Sequence, residues 1–296
     1  MNSGKNRIFA PSIMGKRLFL FIGIIGLIAY SFGCKGIKDS HDFHKLEKGT
    51  DLNAKYDKAV AYYDSADYVK AQMLFDELYS VMRNTEKSEN IAYYLAYCDF
   101  NMNDYVMAGY LFRSYFKTYP TSSRASECLY MSAYCHYKLA PPWSLDQEDT
   151  YAAIDEFQYY IQMFPNDTAH IHECNKLVDQ LHSRLEKKAY MNAKMYYQIA
   201  DYKAAITSFE LLLHDYPDTH YREDANYFIL ESKYYLAINS VDAKKEDRIT
   251  DAINACNDFL KLYTISEYTG EVKQTLDKAL KVQEKLAKDK KTNTTN

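Results

Sequence analysis

The stretch Tyr105–Pro120, YVMAGYLFRSYFKTYP, decides the reading of the chain because its pattern returns: an Ala, a Phe four residues on, and an aromatic-Pro ending eight residues after the Phe. It appears as Ala108/Phe112/Pro120, Ala153/Phe157/Pro165 and Ala205/Phe209/Pro217. Weaker copies at Ala71/Phe75 and Ala252/Cys256 lack the Pro. Twelve residues before the Ala, three copies carry another small residue, at Ala59, Ala96 and Ala193. Two further copies place it twenty residues before, at Ala133 and Ser232, as if the same eight-residue insertion had entered the turn between their helices. A helical unit is therefore repeated five times.

These spacings resemble the tetratricopeptide repeat, a two-helix unit of about 34 residues. The Ala of the second helix lets the first approach closely, the Phe one turn later fills the joint with the next repeat, and the Pro stops the helix. Successive Ala marks lie 37, 45, 52 and 47 residues apart, so the connections are long. The expected fold is all-α, a right-handed superhelical solenoid of five such pairs whose core forms by stacking neighbours, closed by a capping helix over 271–288. Expected helix pairs are 52–64 with 69–82, 89–101 with 105–118, a helix ending at Leu139 with 149–163, and two more pairs within 170–216 and 220–262. The polar stretch Asn239–Asp247 is placed in the last turn.

Ahead of the repeats, Lys16 and Arg17 precede an apolar run from Leu18 to Ala29 and then Ser31-Phe32-Gly33-Cys34. The layout is that of a secretory signal, and twelve apolar residues are too few to span a bilayer comfortably. The ending resembles a bacterial lipobox, which makes Cys34 the lipidated first residue of the mature chain; Ser31 stands where a Leu is usual. The start is Met1 or Met14. In the lipoproteins that this signal resembles, an acidic run after the Cys often accompanies export to the cell surface; none follows Cys34, so a body facing the periplasm is expected. The expected organisation is signal peptide 1–33, lipidated tether 34–52, N-terminal repeats 53–165, C-terminal repeats with cap 166–290, and a disordered tail 291–296.

The net charge of −4 becomes about −8 once the basic residues of 1–33 are removed, which argues against nucleic acid as a partner. Cys98, Cys128, Cys135, Cys174 and Cys256 lack disulfide-framework spacing and are expected to be small buried hydrophobes. His170, His172 and Cys174 look ligand-like, but on a helix His172 points away from the other two. There is no Gly-rich phosphate loop and no Ser-centred elbow, so no catalytic residue, cofactor, metal site or small-molecule substrate is expected.

In tetratricopeptide stacks the first helices line the concave face, through residues three before, one after and four after the small mark. That rule selects Tyr56, Val60 and Tyr63; Tyr93, Tyr97 and Phe100; and Tyr130, Tyr134 and Tyr137. In repeats four and five it gives Tyr190, Lys194 and Tyr197, then Ile229, Lys233 and Leu236, where the aromatic row fades. Two readings stand side by side: a groove of phenol rings for an extended polypeptide, or rings buried within the stack.

A lipid signal followed by five repeats, the junction Tyr119-Pro120-Thr121-Ser122 and the run Cys128–Asn166 together resemble the BamD family of outer-membrane assembly lipoproteins, in the style of its Bacteroidetes members. The resemblance implies an anchor in the inner leaflet of the outer membrane and no catalysis. It implies capture of unfolded barrel precursors by the N-terminal repeats, and association of the C-terminal repeats with the periplasmic POTRA modules of the barrel protein BamA. The alternative is another envelope tetratricopeptide lipoprotein, serving cell-wall or pilus assembly.

Overall fold

In the computed structural model, residues 51–83 and 85–294 are described, and among them lie eleven α-helices and no strand. They are α1 Leu52–Asp64, α2 Tyr68–Val81, α3 Ser88–Asn101, α4 Tyr105–Thr118, α5 Ala125–Leu139, α6 Glu148–Met163, α7 Thr168–Gln198, α8 Tyr202–Asp215, α9 Arg222–Ile238, α10 Asp242–Leu262 and α11 Thr269–Thr294. This is the all-α tetratricopeptide architecture. The chain divides into two compact units at Ser132/Ala133, within α5.

In the first unit α1 to α4 pack each against the next, as the small marks require. Ala59, Ala71, Phe75, Ala96, Ala108 and Phe112 have no exposed surface. Phe75 lies under Tyr56 and stacks on Tyr94 at 5.2 Å; Phe112 takes the edge of Tyr97 at 4.9 Å. In the second unit α6 to α11 follow the same order, with Ala133, Ala153, Phe157, Ala193, Ala205, Phe209 and Cys256 equally sealed. Pro120, Pro165 and Pro217 stay exposed two residues beyond α4, α6 and α8, where a proline bars the preceding residue from helical geometry. All five cysteines of the body are buried and unpaired, and burial pushes their thiols up to about 12.

The tight turns share one chemistry. Ala66, Asn103 and Ala200 take left-handed φ of 60°, 64° and 62°, and the Asp that follows each caps the next helix. Asp104 and Asp201 accept from the backbone N–H of Met107 and Ala204 at 3.1 Å, leaving fewer unsatisfied N–H groups at the helix start.

The two predicted insertions differ in form. Between α5 and α6 there is a true eight-residue connection, 140–147, held by Gln147: its Nε2 donates to the carbonyls of Pro142 and Leu145 at 2.9 Å. Between α9 and α10 only Asn239, Ser240 and Val241 lie outside helix. The expected polar loop over Asn239–Asp247 is corrected: from Asp242 onward its charged, helix-compatible residues lengthen α10 by extra exposed turns. The capping helix likewise runs past its expected end, and its backbone is helical to Thr294 where a disordered tail was expected.

Asp99 lies 1% exposed between α2 and α3, accepting from Gln72 Nε2. Burial, with the negative charges of Asp104 and Asp76, raises its carboxyl to about 6. The folded state therefore holds this proton more tightly than the unfolded chain, so stability present at low pH is lost as pH rises from about 4 through about 6. Asp99→Asn is expected to raise stability at pH 7 by about 1–2 kcal/mol and flatten that slope. Denaturant melts of both proteins across this range measure it; an unchanged slope would remove Asp99 as the cause.

Candidate functional site: a row of half-buried tyrosines stapled by carboxylates

The eight selected rings, Tyr56, Tyr63, Tyr93, Tyr97, Phe100, Tyr130, Tyr134 and Tyr137, are all half-buried: none is sealed and none stands free in solvent. They stand on first helices because the small marks bring those helices together, leaving the flanking positions at the edge of the joint. In the first unit Tyr56, Tyr63, Tyr93, Tyr97 and Phe100 rest on neighbouring rings. Tyr63 meets Tyr68 and Tyr94 at 5.6 and 4.8 Å, Tyr93 meets Tyr97 at 4.7 Å, and Phe100 meets Tyr105 at 5.5 Å. In the second unit Tyr134 and Tyr137 stack at 5.7 Å.

Two of the hydroxyls, those of Tyr93 and Tyr97, are fixed by an acid of the next repeat, while that of Tyr137 donates to Gln180 Oε1 at 2.8 Å. Tyr93 and Tyr97 both donate to Glu127 Oε1, Tyr93 at 2.9 Å, and the Arg124 guanidinium covers the Tyr93 ring at 4.5 Å. Burial, reinforced by Glu127, drives both phenol pKa values well above the ordinary range, so both stay protonated donors. A second bridge lies beside it: Glu89 accepts from Ser122 at 2.6 Å and from Tyr115 at 2.7 Å, and these bonds hold its carboxyl below the usual range. Glu127→Ala leaves two phenol hydroxyls partly buried without their acceptor, and is expected to cost about 1–3 kcal/mol. Urea denaturation measures the loss, and Glu127→Gln, which keeps an acceptor, is expected to recover part of it.

The second unit repeats the device, which corrects the register of its last pair. Tyr190 donates to Asp224 at 2.9 Å as Tyr93 does to Glu127, and Thr219 donates to Glu186 as Ser122 does to Glu89. Matching Asp224 to Glu127 puts Leu230, not Ser232, at the small position. The inward residues of α9 are then Tyr227, Glu231 and Tyr234 in place of Ile229, Lys233 and Leu236. Ile229 and Lys233 instead line a pocket with Leu213 of α8 and Phe259 of α10. Tyr227 continues the pattern by donating to Glu271 of α11. Of the three inward residues only Tyr227 is half-buried; Glu231 and Tyr234 are buried at 6% and 9% exposed. Counting back from Ala252 hid this register, because the longer α10 changed the spacing; alignment on Tyr119-Pro120 and Tyr216-Pro217 would have revealed it.

The ligand-like trio does not converge. His170 Nδ1 lies 2.9 Å from Asp167, Cys174 is sealed in the core and His172 is exposed. Among the described residues no group of three or more His, Cys, Asp or Glu side chains is arranged to hold a metal ion, and no helix is long and apolar enough to cross a membrane. The signal peptide and Cys34 lie outside the described residues.

Stacked helix pairs with sealed Ala and Phe joints define a tetratricopeptide protein. The chain belongs to the YfiO family of outer membrane lipoproteins, whose model matches residues 49–248. It is 26% identical over 222 residues to the outer membrane protein assembly factor BamD of Rickettsia prowazekii (strain Madrid E), covering 75% of this chain and 85% of that one. Among solved structures, a tetratricopeptide protein of Bacteroides fragilis NCTC 9343 matches at 15% identity and a TM-score of 0.35, covering 79% of this chain and all of that one. The tetratricopeptide domain of P58(IPK) matches at 15% identity and 0.38, covering 83% of this chain and 68% of that one.

Proposed function

We propose that this chain is a non-enzymatic scaffold for outer-membrane β-barrel assembly, held by lipid on Cys34 with its body facing the periplasm. The N-terminal repeats receive unfolded barrel precursors on the row Tyr56, Tyr63, Tyr93, Tyr97, Phe100, Tyr130, Tyr134 and Tyr137. The C-terminal repeats associate with the POTRA modules of a BamA-type barrel protein. The observation that carries the precursor reading is the state of the rings: positioned by neighbouring rings and staples, yet half-open. Such rings offer large contact area with little side-chain entropy left to lose, which suits an extended strand of varied sequence.

Family membership and similarity to an assembly factor support the same process. The driving force would come from binding and from precursor folding, since no step calls for a cofactor. Depletion in cells tests the reading. Folded, heat-modifiable barrel proteins are expected to fall several-fold in the outer membrane, whereas unchanged barrels with altered wall or pili would refute it.

A further inference from the structure

The second helices of the first unit carry an apolar strip on the side turned away from the core. Ala71 and Ala108 are sealed, and residues two before and two after them lie on the opposite side of each helix. These are Val69 and Met73 on α2, 58% and 48% exposed, and Val106 and Tyr110 on α4, both 67% exposed, with Met107 beside them. The two helices are neighbours: Tyr79 of α2 and Leu111 of α4 border one crevice floored by Ala92 and Leu95 of α3. In the second unit the same positions hold Tyr151, 57% exposed, and Asp155 on α6, Lys203 and Thr207 on α8, and Thr250 and Asn254 on α10, so none of those helices is apolar at both. Clustered exposed apolar residues of this kind mark an interaction surface.

We infer that this strip rests on the lipid bilayer to which the chain is tethered. The inference stands on the anchor at Cys34 proposed above. Cys34 is seventeen residues before Asp51, the N-cap of α1, so even a fully extended connection keeps the first unit within about 60 Å of the membrane. Confinement at that range corresponds to an effective concentration in the millimolar range, at which a weak contact is substantially occupied. Val and Met side chains enter the acyl boundary, and Tyr110 keeps its hydroxyl among the headgroups. Beyond the strip the outer faces turn to Asp76 on α2 and Lys117 on α4, both exposed, a mixed charge that suits a zwitterionic surface.

The test uses the full lipidated chain in phosphatidylcholine vesicles, with Tyr110→Cys, or Thr207→Cys as control, carrying an environment-sensitive fluorophore. Labelling is selective because the native body cysteines are buried with thiols near 12. Emission at Tyr110→Cys is expected to shift to the blue and to drop by roughly twofold with nitroxide-bearing lipid, with Thr207→Cys unaffected. If the chain floats with vesicles but Tyr110→Cys shows neither change, the strip does not touch lipid and this inference falls alone. If the chain does not float, the anchor falls and the inference with it. A blue shift that grows with protein concentration in the absence of vesicles would instead place a second copy on the strip, and would overturn the bilayer as its occupant.

Discussion

Phe112→Ala is expected to cost about 3–5 kcal/mol of stability. Phe112 has no exposed surface, and Tyr97 and Phe100 of α3 lean on its ring at 4.9 and 6.4 Å. Both supported rings belong to the proposed precursor row. A cavity at this joint therefore removes buried apolar area and lets the recognition rings drop into the space left behind. Because a stack unfolds by neighbouring repeats, the loss need not spread evenly along the chain. Amide hydrogen exchange is expected to show protection falling in α3 and α4 before it falls in α9 and α10. Uniform loss along the whole chain would show that the repeats melt as one block. A loss below about 1 kcal/mol would mean that Phe112 is not the keystone of its joint.

The second large effect falls on binding. Tyr93→Ala with Tyr134→Ala is expected to weaken capture of an unfolded barrel-precursor peptide by about tenfold or more, since aromatic rings at the centre of an interface dominate its energy. Tyr93 also belongs to the Glu127 staple, so the Ala pair alone would confound binding with stability. Tyr93→Phe with Tyr134→Phe separates the two. It deletes the Tyr93 hydroxyl bond but keeps the rings, so affinity should stay close to that of the parent while stability falls slightly. Fluorescence anisotropy with the peptide gives the affinities, and circular dichroism confirms the fold. Equal affinity for the Ala pair and the parent would assign the rings to packing alone.

Most of the architecture was legible in the chain because its marks are steric. A residue in a sealed helix joint must be small, the residue one turn on must be large, and the helix must stop. Ala59, Ala71, Ala108, Ala153 and Ala205 obey this, and the helices begin and end within a few residues of where capping and proline place them. What stayed hidden was set by backbone choices that composition leaves open. The stretch Asp242–Asp247 is as polar as a loop, yet its residues are also good helix formers, and the helix won. That outcome shifted the register of α9 and concealed Tyr227 and Tyr234. The carboxylate staples were hidden for another reason. Glu127 and Asp224 look like ordinary solvated acids until the neighbouring repeat brings a phenol to them across 34 residues.

The staples also bear on function. Glu127 fixes the hydroxyls of Tyr93 and Tyr97 and leaves both rings half-buried, whereas the ring that Asp224 holds, Tyr190, is sealed in the core at 4% exposed. On the function proposed above, rings held in this way would be preorganised, which lowers the ordering cost of binding a chain with no structure of its own. The cost is sensitivity to substitution of the acids, which is why Glu127→Ala is expected to be felt at the rings as well as in stability.

Isolation of the lipidated chain from solubilised outer membranes under native conditions, with the co-purifying proteins weighed and identified, tests the central claim most directly. The account predicts near-equal amounts of a BamA-type barrel protein bearing POTRA modules, with sub-stoichiometric unfolded barrel precursors that are lost from the Tyr93→Ala, Tyr134→Ala variant. Recovery of wall synthases or a pilus secretin in place of the barrel protein would contradict it.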